Sequence, residues 1–140
     1  MKVRDAMAKT ITSARPDSTV QEVAEIMKRE DSGFVPVVEG EDRLVGVVTD
    51  RDIVIRCLAE RHSNPLQEAI DHIMTKDVRT IDAERDLSEA ADLMSRDEIR
   101  RLAVTEGDRL VGVLSHGNLV QATEGEGPAK EATKGITRGA

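Results

Sequence analysis

Gly46-Val47-Val48-Thr49-Asp50-Arg51-Asp52 is an apolar run that breaks into a hydroxyl, two acids and an arginine where a helix begins. It returns as Gly112-Val113-Leu114-Ser115-His116-Gly117-Asn118, and Arg-Leu-Val precedes both copies (Arg43-Leu44-Val45 and Arg109-Leu110-Val111). Two such stretches in one chain mark a repeated unit. Working outward, Met7 and Met74, Met27 and Met94, and Pro36 and Ala103 each stand 67 residues apart, whereas Gly46 and Gly112 stand 66 apart. A constant offset broken only in a hairpin loop argues for duplication.

The elements of one copy repeat in the other. Val20, Val23, Ala24 and Met27 fall at i, i+3, i+4 and i+7, the apolar stripe of an amphipathic helix, and Leu87, Ala90, Ala91 and Met94 rebuild it. Thr19 with Glu22 has capping-box spacing, and Asp86 with Glu89 repeats it. Phe34–Val38 reads as a buried strand whose Pro36 lacks an amide donor, which predicts a sheet edge or an irregular opening there. Leu44–Val48 returns as its partner, and Thr49 starts a helix running through Ile53 to Leu58. Asn64-Pro65 closes that helix and caps another, with Pro65 at its first position. Ile70–Met74 then echoes residues 3–7, and Val78–Ile81 echoes the short strand or extended linker Thr10-Ile11-Thr12. The expected fold class is α/β: two β-α-β-β-α repeats, 1–62 and 63–123, packed as a pseudo-twofold pair because neither half buries enough apolar surface alone. Residues 124–140, with Ile136 their only large apolar residue, read as a C-terminal tail.

Composition narrows the function. No apolar run approaches the roughly 20 residues of a membrane span, and the N-terminus lacks the apolar core of a secretory signal. With one cysteine, Cys57, and so no internal disulfide, the expected address is cytoplasmic. A formal charge of −7 and a single aromatic, Phe34, argue against nucleic-acid binding. No catalytic constellation stands out, so the chain is not expected to be an enzyme. Cys57 sits in an apolar helix as a core thiol. His62, His72 and His116 lack metal-ligand spacing, leaving only a metal shared between subunits through His62 or His72, and there is no phosphate-binding P-loop.

From Val3 to about Gln121 the chain resembles a tandem CBS-domain pair, or Bateman module, of the small stand-alone bacterial type. The resemblance rests on the methionine ending each lead-in, the Val35-Pro36-Val37-Val38 strand, the Leu-Val-Gly-Val-Val hairpin strand and the doubled Gly-x-x-Thr/Ser-x-x-Asp signature. It implies two pseudo-symmetric clefts between repeats that bind an adenosine nucleotide (AMP, ADP, ATP) or S-adenosylmethionine as a regulatory ligand, with no cofactor required. Carried over residue by residue, cleft one comprises Thr49 and Asp52 on the ribose, Asp77, Val78, Arg79 and Ile99 around the base, and Arg100 or Arg101 near phosphate. Cleft two comprises Ser115 and Asn118 with Thr10, Ile11, Thr12, Ser32 and Gly33. It is the weaker, because Asn118 replaces a carboxylate with an amide and Gly33 stands where cleft one has Arg100. Ala103 stands where the family often has proline.

Plainer readings compete. Thr49 and Asp52 together suffice as a helix cap, and Arg100 and Arg101 as a solvated strand end, while Arg51 and His116 read as exposed side chains. Two functions follow from different classes, a ligand sensor and a constitutive homodimeric scaffold with vestigial clefts. The extra apolar face of Ile53, Val54, Ile55 and Leu58 predicts homodimerisation in either case, and the regulated protein partner is unnamed.

Overall fold

A computed structural model of the chain describes residues 1–61 and 64–123, so the tail and His62 lie outside the described residues. The fold is α/β and divides into two compact units that do not follow the sequence repeats. One joins Met1–Ile11 to the chain from Arg79 onward; the other is Thr12–Val78.

The Thr12–Val78 unit carries helix α2 (Val20–Glu30), strands β1 (Phe34–Glu39) and β2 (Arg43–Thr49), a π-helix (Asp52–Leu58) and short 3-10 turns at Pro65–Gln67 and Ile70–His72. The expected capping box forms in full: the Glu22 amide donates to Thr19 Oγ1 at 3.1 Å and the Thr19 amide to Glu22 Oε2 at 3.2 Å. The helix closes at Asp31, whose φ of 50° is left-handed. β1 and β2 pair antiparallel with an irregularity between Val37 and Val38. Away from β2, β1 meets the lone bridge residue Ala14, whose amide donates to the Pro36 carbonyl at 2.8 Å while the Val38 amide donates to Ala14 at 2.9 Å. Pro36 thus sits where sheet pairing is reduced to one residue, and Thr10–Thr12 forms no strand. Val20, Val23, Val35, Val37, Val48, Cys57, Ile70, Ile73 and Met74 make the core.

The helix after Thr49 departs from expectation. Its Asp52–Leu58 span is wound with i→i−5 bonds, closing with Ala59 N–H on the Val54 carbonyl at 2.9 Å. Such windings are rare beyond a single turn and cluster at functional positions. Pro65 does open a helical turn, a 3-10 one, with no side-chain cap from Asn64.

The other unit contains α1 (Val3–Ala6), β3 (Thr80–Asp82), α3 (Leu87–Asp97), β4 (Arg101–Glu106), β5 (Arg109–Ser115) and α4 (His116–Thr123). β3 runs parallel to β4, and β4 antiparallel to β5 with its irregularity between Val104 and Thr105, 67 residues from that of β1. Val3 and Met7 pack with Ile81, Leu87, Met94, Leu102, Leu114 and Leu119, so the first residues of the chain complete the core built by the last. Exposed ion pairs add to this attachment: Lys2 to Glu84 at 2.6 Å, and Arg4 to Glu84 at 2.7 Å and Glu106 at 2.5 Å. The second capping box is only half made. Asp86 accepts from the Ser88 amide at 3.1 Å, but the Glu89 carboxylate turns to Arg85 at 3.2 Å.

Candidate ligand-binding site

The residues singled out at the head of the π-helix form a closed pair. The Asp52 amide donates to Thr49 Oγ1 at 3.1 Å, and the Thr49 amide to Asp52 Oδ2 at 2.9 Å. The capping role is therefore real, and it fixes the carboxylate's orientation. Asp52 is only 6% exposed. A buried carboxylate needs partners, and beyond Thr49 a hydroxyl donor and a nearby cation supply them. The Thr75 hydroxyl lies 3.2 Å from both Asp52 oxygens, and the Arg56 guanidinium stands 3.8 Å from Oδ1 while donating to the Met74 carbonyl at 3.0 Å. Thr75 itself is pinned to β2: its amide donates to Val47 at 2.8 Å and its carbonyl accepts from Val47 at 2.9 Å.

The matching box in the other unit is built the same way without charge. Ser115 N–H donates to Asn118 Oδ1 and Asn118 N–H to Ser115 Oγ, both at 3.0 Å. At the 66- and 67-residue offsets, Ala122 replaces Arg56 and Ala8 replaces Thr75. Ala8 makes the same backbone bridge, to Val113, that Thr75 makes to Val47.

A second asymmetry lies just before the hairpins. The Asp50 amide donates to the Gly33 carbonyl at 3.0 Å, and a β-carbon on Gly33 would fall 2.6 Å from Asp50 Oδ2, so a larger residue there would have to displace the Asp50 carboxylate. In the other unit the His116 amide donates to the Arg100 carbonyl at 2.8 Å. Gly33 therefore adds no cation and also carries a carboxylate over its α-carbon.

Of the residues assigned to cleft one, Thr49, Asp52, Asp77 and Val78 belong to the Thr12–Val78 unit, and Arg79, Ile99, Arg100 and Arg101 to the other. Arg79 pairs with Asp97 at 3.1 Å, Arg100 is exposed and Arg101 half-buried, and Ile99 packs against its unit's core. Of the cleft-two set, Thr12, Ser32 and Gly33 lie in the first of these units and Thr10, Ile11, Ser115 and Asn118 in the second. The Thr12 hydroxyl donates to Glu30, and Ser32 Oγ accepts from the Phe34 amide at 3.3 Å.

Thr75, Arg56 and Asp50 were not among the expected site residues. Asp50 had a readable signal, its alignment with His116. Cys57 is fully buried, and desolvation, with Glu68 adding to it, pushes its thiol up from the ordinary range. His72 Nδ1 lies 2.6 Å from Glu68 Oε1, and among the described residues no three His, Cys, Asp or Glu side chains gather as metal ligands. No described helix is long and apolar enough to cross a membrane.

A model of the CBS domain matches residues 3–58 and again 69–125. The chain is 33% identical over 117 residues to the CBS domain-containing protein YhcV of Bacillus subtilis, covering 84% of this chain and 81% of that one. It is 30% identical over 118 residues to Hypoxic response protein 1 of Mycobacterium tuberculosis, covering 84% and 82%. The crystal structure of Hypoxic Response Protein I with two coordinated zinc ions has a TM-score of 0.78 at 29% identity, covering 86% of this chain and 98% of that one. CBSX2 in complex with AMP has a TM-score of 0.77 at 26% identity, covering 88% and 96%. The CBS-domain pair of protein MJ0100, solved with 5′-methylthioadenosine and S-adenosyl-L-methionine, has a TM-score of 0.76 at 25% identity, covering 89% and 97%.

Proposed function

Because the chain belongs to the CBS-domain family, with two copies of the domain in tandem, we propose that it is a cytoplasmic regulatory protein that senses an adenosine nucleotide or S-adenosylmethionine and passes its occupancy to a partner. The observation that carries the reading is Asp52, a carboxylate held in one orientation by Thr49 and able to accept from both hydroxyls of a ribose. Relatives solved with AMP and with S-adenosylmethionine support the adenosine class. In this reading Asp77, Val78, Arg79 and Ile99 surround the base and Arg100 or Arg101 meets phosphate. The site of Ser115 and Asn118 is weaker, since it has an amide for a carboxylate and Asp50 beside Gly33 to repel phosphate.

Calorimetric titration of AMP, ADP, ATP and S-adenosylmethionine tests it. Asp52→Ala should lose about 2–3 kcal/mol of ribose binding, on the order of 30- to 150-fold, and Asn118→Ala about tenfold or less in the weaker site alone. If no adenosine compound binds at millimolar concentration, or if Asp52→Ala leaves every affinity unchanged, sensing is wrong. Melting temperature is read alongside, since losing the Asp52 cap costs about 1 kcal/mol by itself.

A second reading, a constitutive homodimeric scaffold, draws on the π-helix surface. Val54, Ile55 and Leu58 are 53, 44 and 51% exposed, and nearby in sequence Leu66 is 56% exposed. These large aliphatic side chains lie in one stretch of 13 residues, and a second copy of this chain is the cover we propose in both readings.

A further inference from the structure

The two capping boxes act as an internal comparison. The one with a carboxylate has a hydroxyl against it, Thr75; the one with an amide has Ala8 at that position. We propose that the Thr75 hydroxyl is a built-in competitor for the ligand's ribose, a specificity-setting group that must release Asp52 before a ribose diol can bind. The proposal rests on the reading of Asp52 as ribose acceptor.

Geometry supports competition over simple support. Asp52 Oδ2 already accepts from the Thr49 amide, and Arg56 at 3.8 Å lies beyond hydrogen-bond distance, so the Thr75 hydroxyl, set against both oxygens, takes up part of the acceptor capacity a diol would use. Thr75 shares one proton between two oxygens at 3.2 Å, longer than the 2.7–2.8 Å usual for hydroxyl donors, which makes the bond weak and readily exchanged. Its backbone is fastened to Val47 in both directions. Displacing the hydroxyl therefore needs only a turn about χ1, and the segment stays in place. With Asp52 just 6% exposed, a diol approaching both oxygens meets the hydroxyl that already faces them.

A purely supporting role predicts the opposite sign. If Thr75 only orients Asp52, removing its hydroxyl weakens binding and stability together. If it competes, removal lowers stability but strengthens binding. The test is calorimetric titration of AMP and 2′-deoxy-AMP into the full chain, its Thr75→Val, Thr75→Ala and Thr75→Ser variants, and Asp52→Ala. Competition predicts AMP affinity about three- to tenfold higher in Thr75→Val, a smaller gain for 2′-deoxy-AMP, and wild-type affinity in Thr75→Ser. Thr75→Ala should show the same sign should Thr75→Val fail to fold. AMP binding detectable only in the variants lacking the hydroxyl also supports the proposal. Unchanged or weaker AMP binding in both, with Asp52→Ala still losing affinity, overturns the role of Thr75 and leaves the ribose reading standing. AMP binding by none of the proteins, or indifferent to Asp52→Ala, overturns both.

Discussion

Replacing Gly46 by alanine tests why the repeated signature begins with glycine. A β-carbon at Gly46 would lie 2.8 Å from Met74 Sδ, 2.9 Å from the Thr75 carbonyl oxygen and 3.2 Å from Met74 Cγ. The thioether can swing away, but the carbonyl is backbone: it accepts from the Val47 amide at 2.9 Å, while the Thr75 amide donates to the Val47 carbonyl at 2.8 Å. To restore ordinary contact, the Thr75 segment must retreat by a few tenths of an ångström and stretch both bonds. Overpacking of this kind costs about 1–3 kcal/mol, and a weakened hydrogen bond adds about 0.5–1.5 kcal/mol, against about 0.4–1 kcal/mol regained from the stiffer unfolded chain. The net loss is about 2 kcal/mol, or a melting temperature lower by about 5–10 °C. The comparison is Gly117→Ala, whose β-carbon would meet only Ser115 Oγ at 3.6 Å on a helix. That variant should gain up to about 1 kcal/mol. Scanning calorimetry or urea unfolding at constant m-value reads both. If Gly46→Ala melts within a degree or two of wild type while Gly117→Ala does not rise above it, the close-approach argument is wrong.

Two further outcomes follow from surface features. The carboxyl of Glu84 is held below its usual range by its hydrogen bonds to Lys2 and then Arg4, so the stability it contributes is full above the unfolded-state pKa of about 4.3 and is lost as pH falls through the lower folded value. Glu84→Gln should therefore melt below wild type near neutrality and converge with it in acid; parallel melting curves across that range would contradict the linkage. Leu58→Glu should convert the proposed dimer to a 15.3 kDa monomer by light scattering, and a wild type already monomeric at all concentrations would remove the second copy as the cover for the π-helix.

Local chemistry was the most readable part of the fold. Thr19 with Glu22, and Thr49 with Asp52, are three residues apart and close the bonds their spacing promises. Asp86 with Glu89 shows the limit: the same spacing is present, but Arg85 is a better partner for Glu89 than the amide is. The winding of Asp52–Leu58 left no mark, since i→i−4 and i→i−5 ladders use the same backbone groups and the same apolar residues. Thr75 escaped because it is 23 residues from Asp52 and belongs to the other sequence repeat, where a search for helix starts does not look. The same blindness hid the compact units. Subtracting positions shows that Val3–Met7 and Ile70–Met74 are equivalent but cannot say which core each one fills.

The attachment of Val3 and Met7 to a core that includes Leu114 and Leu119 has a consequence for how the protein is made. On a ribosome adding about 5–20 residues per second, these two side chains wait several seconds or more for partners more than a hundred residues downstream. The Thr12–Val78 unit, by contrast, draws all its core from one continuous stretch and can close while the rest is still being translated. During synthesis the Thr12–Val78 unit can therefore stand folded while Val3 and Met7 remain uncovered, open to chaperones and proteases until β5 and α4 arrive.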